Sequence, residues 1–134
     1  MAGYSGTPLW RKLGYKNGMS AYVDGGPNNY LSLLALPADV AVTWLRSSKS
    51  DMEFVHLFAT SPSNLKRKLE SYRKKIVPGG MIWVSWPKKS SRVKSDITED
   101  TIRDVALPMG LVDVKVCAVD EVWSGLKLMI RRSA

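Results

Sequence analysis

The side chains able to do chemistry are few, and their spacing separates them into two groups. His56 is the only histidine and Cys117 the only cysteine among 134 residues. That excludes an internal disulfide and any histidine or cysteine cluster for a metal, and a reducing compartment suits the chain. His56 falls in the middle of an apolar run, in phase with Phe54 and Phe58, which reads as a hydrogen-bonded core histidine rather than a general base. A thiol becomes a nucleophile when its pKa is lowered; only Lys115 stands near Cys117 in sequence, so packing is its expected role. No catalytic residue and no metal site is expected.

The second group has binding chemistry. Asp24, Asn28 and Asn29 follow one apolar run, and Ser61 opens a helix after another. Ser85, Trp86, Lys88 and Lys89 close the run Met81-Ile82-Trp83-Val84-Ser85-Trp86, while Asp120, Glu121 and Trp123 lie in a short polar turn. If the runs are strands of an open α/β sheet, all of these belong to its carboxyl edge, where such sheets bind ligands. A lysine pair beside a carboxylate pair can hold an anion, or can neutralise itself as a surface ion-pair cluster. Of the five tryptophans, Trp86 and Trp123 stand beside polar turns at that edge; the others are expected to fill core.

The elements that would position these groups follow from periodicity and punctuation. The 81–86 run has large side chains on both faces, the pattern of a central strand covered on both sides, and Pro87 ends it because proline cannot donate to the ladder. Residues 52–59 read the same way. Thr7-Pro8 begins a short helix ending at Gly14, with threonine as N-cap and proline first. A first strand over 18–23 is closed by the turn formers Asp24-Gly25-Gly26-Pro27-Asn28-Asn29. A short helix over 30–36 and a second strand over 40–45 come next. Ser61-Pro62 opens a helix whose inner stripe is Leu65, Leu69, Tyr72 and Ile76, and Pro78-Gly79-Gly80 stops it. Asp96 or Thr98 caps a helix reaching 109, with Glu99 and Asp100 in its first turn. Strands over 111–119 and 126–132 alternate apolar with polar, as half-exposed edge strands do, and the turn between them is too short for a parallel crossover.

The expectation is one three-layer α/β domain over 1–134, Rossmann-like, with a mostly parallel sheet of about six strands and an antiparallel C-terminal strand. A hydrophobic share of 45% and a charged share of 24% suit a globular core. No apolar run approaches the roughly 20 residues of a membrane span, and Met1 to Gly6 lacks the pattern of a signal peptide, so the cytoplasm is the expected location. The net charge of +8 divides unevenly: +1 over 1–60, +9 over 61–94 and −2 over 95–134. Concentrated basicity attracts polyanions, but a lysine-rich helix face also serves solubility. Lys66, Arg67 and Lys68 should lie near the edge of Lys88 and Lys89, and Arg73, Lys74 and Lys75 about 10 Å down the helix. A split patch binds nucleic acid weakly at most.

Taken along nearly its full length, the chain resembles a reduced class I AdoMet-dependent methyltransferase. It resembles more closely a family of small uncharacterised bacterial proteins. The closer resemblance is carried by Tyr4-Ser5-Gly6-Thr7-Pro8-Leu9-Trp10, Phe54-Val55-His56-Leu57-Phe58, Val84-Ser85-Trp86-Pro87-Lys88-Lys89 and Val114 to Glu121 with Trp123-Ser124-Gly125-Leu126-Lys127. The resemblance implies the strand order second, first, third, fourth, sixth, fifth, and makes AdoMet the cofactor to consider. Three features depart from a working methyltransferase. The acidic position of the first strand falls on Val23, and the glycine turn reads Gly25-Gly26-Pro27-Asn28. The run after the second strand, Thr43-Trp44-Leu45-Arg46, has no carboxylate for ribose hydroxyls. The 45–52 link is too short for the usual extra helix and strand. The function expected is therefore a small binding or regulatory module for an anionic ligand or a protein partner, with a divergent AdoMet- or nucleotide-dependent enzyme as the alternative.

Overall fold

A computed structural model of the chain describes residues 6–131. The Tyr4-Ser5 part of the resemblance, Met1 to Gly3 and Arg132 lie outside the described residues. The elements are α1 (Leu9–Leu13), β1 (Ser20–Asp24), α2 (Tyr30–Leu34), β2 (Thr43–Trp44), β3 (Met52–Phe58), α3 (Pro62–Lys75), β4 (Ile76–Pro87), α4 (Glu99–Ala106), β5 (Leu111–Ala118) and β6 (Trp123–Ile130). The six strands form a sheet in the order β2-β1-β3-β4-β6-β5, as the resemblance implies.

Pairing is parallel from β2 through β1 and β3 to β4, then antiparallel between β4 and β6 and between β6 and β5. Strand β2 is shorter than expected, but it sits beside β1 with Ser20 opposite Thr43. Two cores follow from the alternation of β3 and β4 side chains. Ile82, Val84 and Val55 point to one face and pack under Leu65, Leu69 and Ile102 of α3 and α4. Phe54, Phe58 and Trp83 point to the other and pack under Leu9, Leu13 and Leu34 of α1 and α2. Trp83 is fully buried, and its indole N–H donates to the Leu13 carbonyl at 2.8 Å, which satisfies the one polar atom of a large apolar ring.

Several boundaries differ from the sequence reading. Helix α1 starts one position later: Pro8 is the N-cap and no side chain caps the helix. Strand β1 extends to include Asp24. Helix α3 ends at Lys75 and Ile76 already pairs with Met52, so Ile76 belongs to β4 and not to the helical stripe. Pro78 explains this, because the residue before a proline is held out of the helical region and Val77 must be extended. Pro78-Gly79-Gly80 lies inside β4 beside an irregular register between Met52 and Phe54. A Cβ on Gly80 would meet the Glu53 carbonyl at 3.1 Å and the Val77 carbonyl at 2.9 Å. Helix α4 has Thr98 as its cap, in a reciprocal pairing with Thr101, and ends at Ala106 before a 3-10 turn over 107–109.

Candidate functional site at the carboxyl edge of the sheet

The strand ends bring Asp24, Ser85, Lys88, Asp120 and Trp123 to one edge, and the structure shows what each side chain does there. Ser85 is turned inward. Its Oγ lies 2.7 Å from His56 Nε2; His56 Nδ1 lies 2.8 Å from the Tyr30 hydroxyl, and that hydroxyl lies 2.7 Å from the Tyr15 hydroxyl. All four residues are buried. Burial pushes the His56 pKa down to about 3, so the ring is neutral, with one nitrogen donating and the other accepting. The bonds therefore run in one sense along the whole chain. Burial also raises both tyrosine pKa values, so neither phenol ionises readily. This is a satisfied polar network inside an apolar core.

Above that network the edge is filled with aromatic rings. Phe58 stacks on His56 with centroids 4.3 Å apart, and Trp123 meets Phe58 edge-on at 5.0 Å. The turn after β1 closes against the same ring. Gly25 takes φ +74°, and a Cβ there would lie 3.3 Å from the Phe58 carbonyl; a Cβ on Gly26 would lie 2.7 Å from Val23 Cγ1 and 3.5 Å from Phe58. Gly25 is needed for its left-handed backbone and Gly26 because Val23 stands where a Cβ would lie.

Asp24 points to the opposite face of the sheet. Its carboxylate accepts from the Tyr72 hydroxyl and pairs with Lys68 Nζ at 3.0 Å. Burial first, and then the Asp24 carboxylate, raise the Tyr72 pKa well above the usual phenol range. A cleft of about 310 Å³ opens here, with Tyr22, Ser48 and Arg67 also in its walls.

The turn between β5 and β6 is bound internally. Asp120 Oδ1 accepts the backbone N–H groups of Val122 at 2.8 Å and Trp123 at 2.7 Å, an Asx turn. Lys88 donates its backbone N–H to the Val122 carbonyl at 2.8 Å and its Nζ to the Asp120 carbonyl at 2.7 Å. Lys88 is thus engaged by a carbonyl rather than by a carboxylate. Trp86 is buried on the α3 and α4 side. Ser61 Oγ bonds Ser63 Oγ at 3.1 Å without capping α3. Asn28, Asn29, Lys89 and Glu121 are exposed around the rim. The sequence reading named no partner for His56; Tyr15 and Tyr30 are 41 and 26 positions away, and the only signal was that a buried imidazole requires partners.

Three cations of α3 have separate partners. Lys68 reaches Asp24 at the carboxyl edge, whereas Arg73 donates to the Met109 carbonyl at 3.1 Å and Lys75 to Ser48 Oγ at 2.9 Å. Among the described residues no group of histidine, cysteine and carboxylate side chains could hold a metal, and no helix is long and apolar enough to cross a membrane.

No protein-family profile matches the chain, and no curated protein matches it in sequence. Solved structures do match. A SAM-dependent methyltransferase from Aquifex aeolicus aligns with TM-score 0.62 and 16% identity, over 91% of this chain and 87% of that one. The N-methyltransferase NodS from Bradyrhizobium japonicum aligns with TM-score 0.60 and 11% identity, over 92% and 93%. A "possible exported protein" from Bordetella parapertussis aligns with TM-score 0.64 and 9% identity, and this chain spans 66% of its length. Identities this low carry fold alone, and the fold of this chain is the Rossmann-like α/β fold of the SAM-dependent methyltransferases.

Proposed function

We propose that the chain, as one domain, is a non-catalytic binding or regulatory module built on a methyltransferase-like fold. The observation that carries this reading is the engagement of Asp24, the carboxylate at the end of β1, by Tyr72 and Lys68 on the opposite face of the sheet. AdoMet binding in such a fold needs backbone amides open to the ligand and carboxylates beside them. Here Asp24 is held by Tyr72 and Lys68 on the other face, a Cβ on Gly26 would already meet Val23 Cγ1 at 2.7 Å, and the residues that follow β2, Leu45 and the exposed Arg46, include no acid. The residues present do not fit AdoMet. Titration of AdoMet into the protein should give no saturable heat.

One observation favours a second reading, a divergent AdoMet- or nucleotide-dependent enzyme: the methyltransferases from Aquifex and Bradyrhizobium match over nearly the whole chain. Saturable binding in the same titration would favour it. On either reading the rim around Lys88, Lys89, Asp120, Glu121 and Trp123, with Asn28, Asn29 and Ser61 beside it, is the surface for a small anionic ligand or a protein partner.

A further inference from the structure

The sheet holds two lysines directly opposite one another. Lys115 of β5 and Lys127 of β6 are registered partners, and opposed residues on an antiparallel pair have Cβ atoms about 5 Å apart. Like charges placed so destabilise a sheet unless something answers them. Nothing in the described protein does. Its ion pairs use Asp24, Glu99, Asp100 and Asp113 as acids, and Lys68 and Arg103 as bases.

More positive charge converges on the same face from α1 and the turn after it. Lys127 and Trp83 are opposite each other on β6 and β4, and Trp83 lies under α1, so the lysine pair faces the helix. Arg11 and Lys16 are exposed and Lys12 is half-buried. Lys115 and Lys16 act electrostatically on Lys127, whose pKa is lowered first by burial and then by these two charges. Lys115 and Lys12 act likewise on Cys117, whose thiol is nevertheless pushed up by burial. The charges that act on Lys127 are therefore Lys115 and Lys16, both positive, and Lys12 joins Lys115 at the neighbouring Cys117. A groove of about 540 Å³ runs between the elements, with Arg11, Lys12, Lys115 and Cys117 in its walls. That volume is within the range of small-molecule sites.

We propose that this groove binds a phosphoanhydride chain, the group shared by inorganic oligophosphates and nucleoside triphosphates. A single carboxylate would answer one of the three cations in these walls, Arg11, Lys12 and Lys115, with Lys127 paired to Lys115 beside them; adjacent phosphates answer several at once. Lysine supplies point charges to such a chain, and Arg11 at the mouth supplies a planar fork that matches a phosphate edge. The groove is short and open, lined by α1 and one end of β5, and its few cations suit a compact polyanion better than an extended polynucleotide. It uses none of the rim residues and does not depend on the fate of AdoMet.

The test is calorimetric titration of the full chain with inorganic tripolyphosphate, ATP, orthophosphate and a short single-stranded oligonucleotide. The wild-type protein should bind tripolyphosphate saturably and orthophosphate much more weakly. ATP tighter than tripolyphosphate assigns the source as a nucleotide; equal affinity assigns it as the phosphate chain itself. The double variant Lys115→Gln with Lys127→Gln should lose affinity by about tenfold or more. It should also melt at a higher temperature than wild type without ligand, since the repulsion is gone, and this guards against loss by misfolding. Cys117, the single thiol, supplies a second readout: its alkylation should slow when tripolyphosphate is bound. Absence of saturable binding, unchanged affinity in the double variant, or an oligonucleotide bound more tightly than tripolyphosphate would each overturn the proposal.

Discussion

His56 Nε2 lies 2.7 Å from Ser85 Oγ, and this contact joins the ends of two neighbouring central strands inside the core. The imidazole is neutral there because its pKa is pushed down to about 3, while in the unfolded chain it returns to its ordinary value. The unfolded state therefore binds the extra proton between about pH 6.5 and pH 3, and stability falls through that window as acid is added, by about 1.4 kcal/mol per pH unit. Above about pH 6.5 the contribution is fully present. Urea denaturation across that range should show this slope, and His56→Gln, which cannot titrate, should remove it. His56→Ala should cost about 3 to 5 kcal/mol, through a cavity and unpaired hydroxyls on Ser85 and Tyr30.

How much of this was legible in the sequence depends on distance along the chain. The both-face-apolar runs at 52–58 and 81–86 and the alternation in β5 sufficed for a sheet of the right class, because periodicity reports burial directly. The boundary between α3 and β4 was misplaced because Ile76 satisfies both periods, and only its pairing with Met52 decides between them. Rim residues could be placed by topology, but not their engagement: nothing in the sequence tells that Ser85 turns inward to His56 or that Lys88 is held by the Asp120 carbonyl. The basic groove was invisible. Lys12 and Lys16 sit in a segment of net charge +1, and Lys115 and Lys127 in one of −2, so only the fold brings them together.

Asp24 joins β1 to α3 through Tyr72 and Lys68. Asp24→Asn should destabilise the protein by about 1 to 2 kcal/mol, mostly through Tyr72, whose hydroxyl is buried with it. Lys68→Ala should cost well under about 1 kcal/mol because that ion pair is partly solvated. Spectrophotometric titration should show the Tyr72 pKa moving down in Asp24→Asn, with burial still holding it above an ordinary phenol.

A methyl group on Gly26 would meet Val23 Cγ1 at 2.7 Å. Gly26→Ala should therefore lower stability by about 1 to 3 kcal/mol, the range for overpacking. Gly26→Ala with Val23→Ala should cost less than the two single substitutions added together, because the two side chains collide. Thermal melts of these variants decide the point: an unchanged melting temperature in Gly26→Ala would mean that the turn is open.

Of the cations of α3, Lys68, Arg73 and Lys75 bond Asp24, the Met109 carbonyl and Ser48, and Lys88 of the loop after β4 bonds the Asp120 carbonyl. Binding to a short DNA duplex through 61–94 should be weak and lost between about 50 and 200 mM salt, since few phosphates are met together. Fluorescence anisotropy checks this. Sub-micromolar binding that survives the higher salt and disappears in Lys88→Ala with Lys89→Ala would make the loop a recognition element.

The central claim is that the edge of this methyltransferase-like sheet offers AdoMet no free carboxylate after β1 or β2, Asp24 being engaged by Tyr72 and Lys68. Calorimetric titration of AdoMet into the wild-type protein tests it most directly. The account predicts only the heat of dilution, with no saturation at ligand concentrations where working methyltransferases are filled. Saturable binding at micromolar concentration, with ligand contacts along the turn at 24–29 in the structure of the complex, would contradict it.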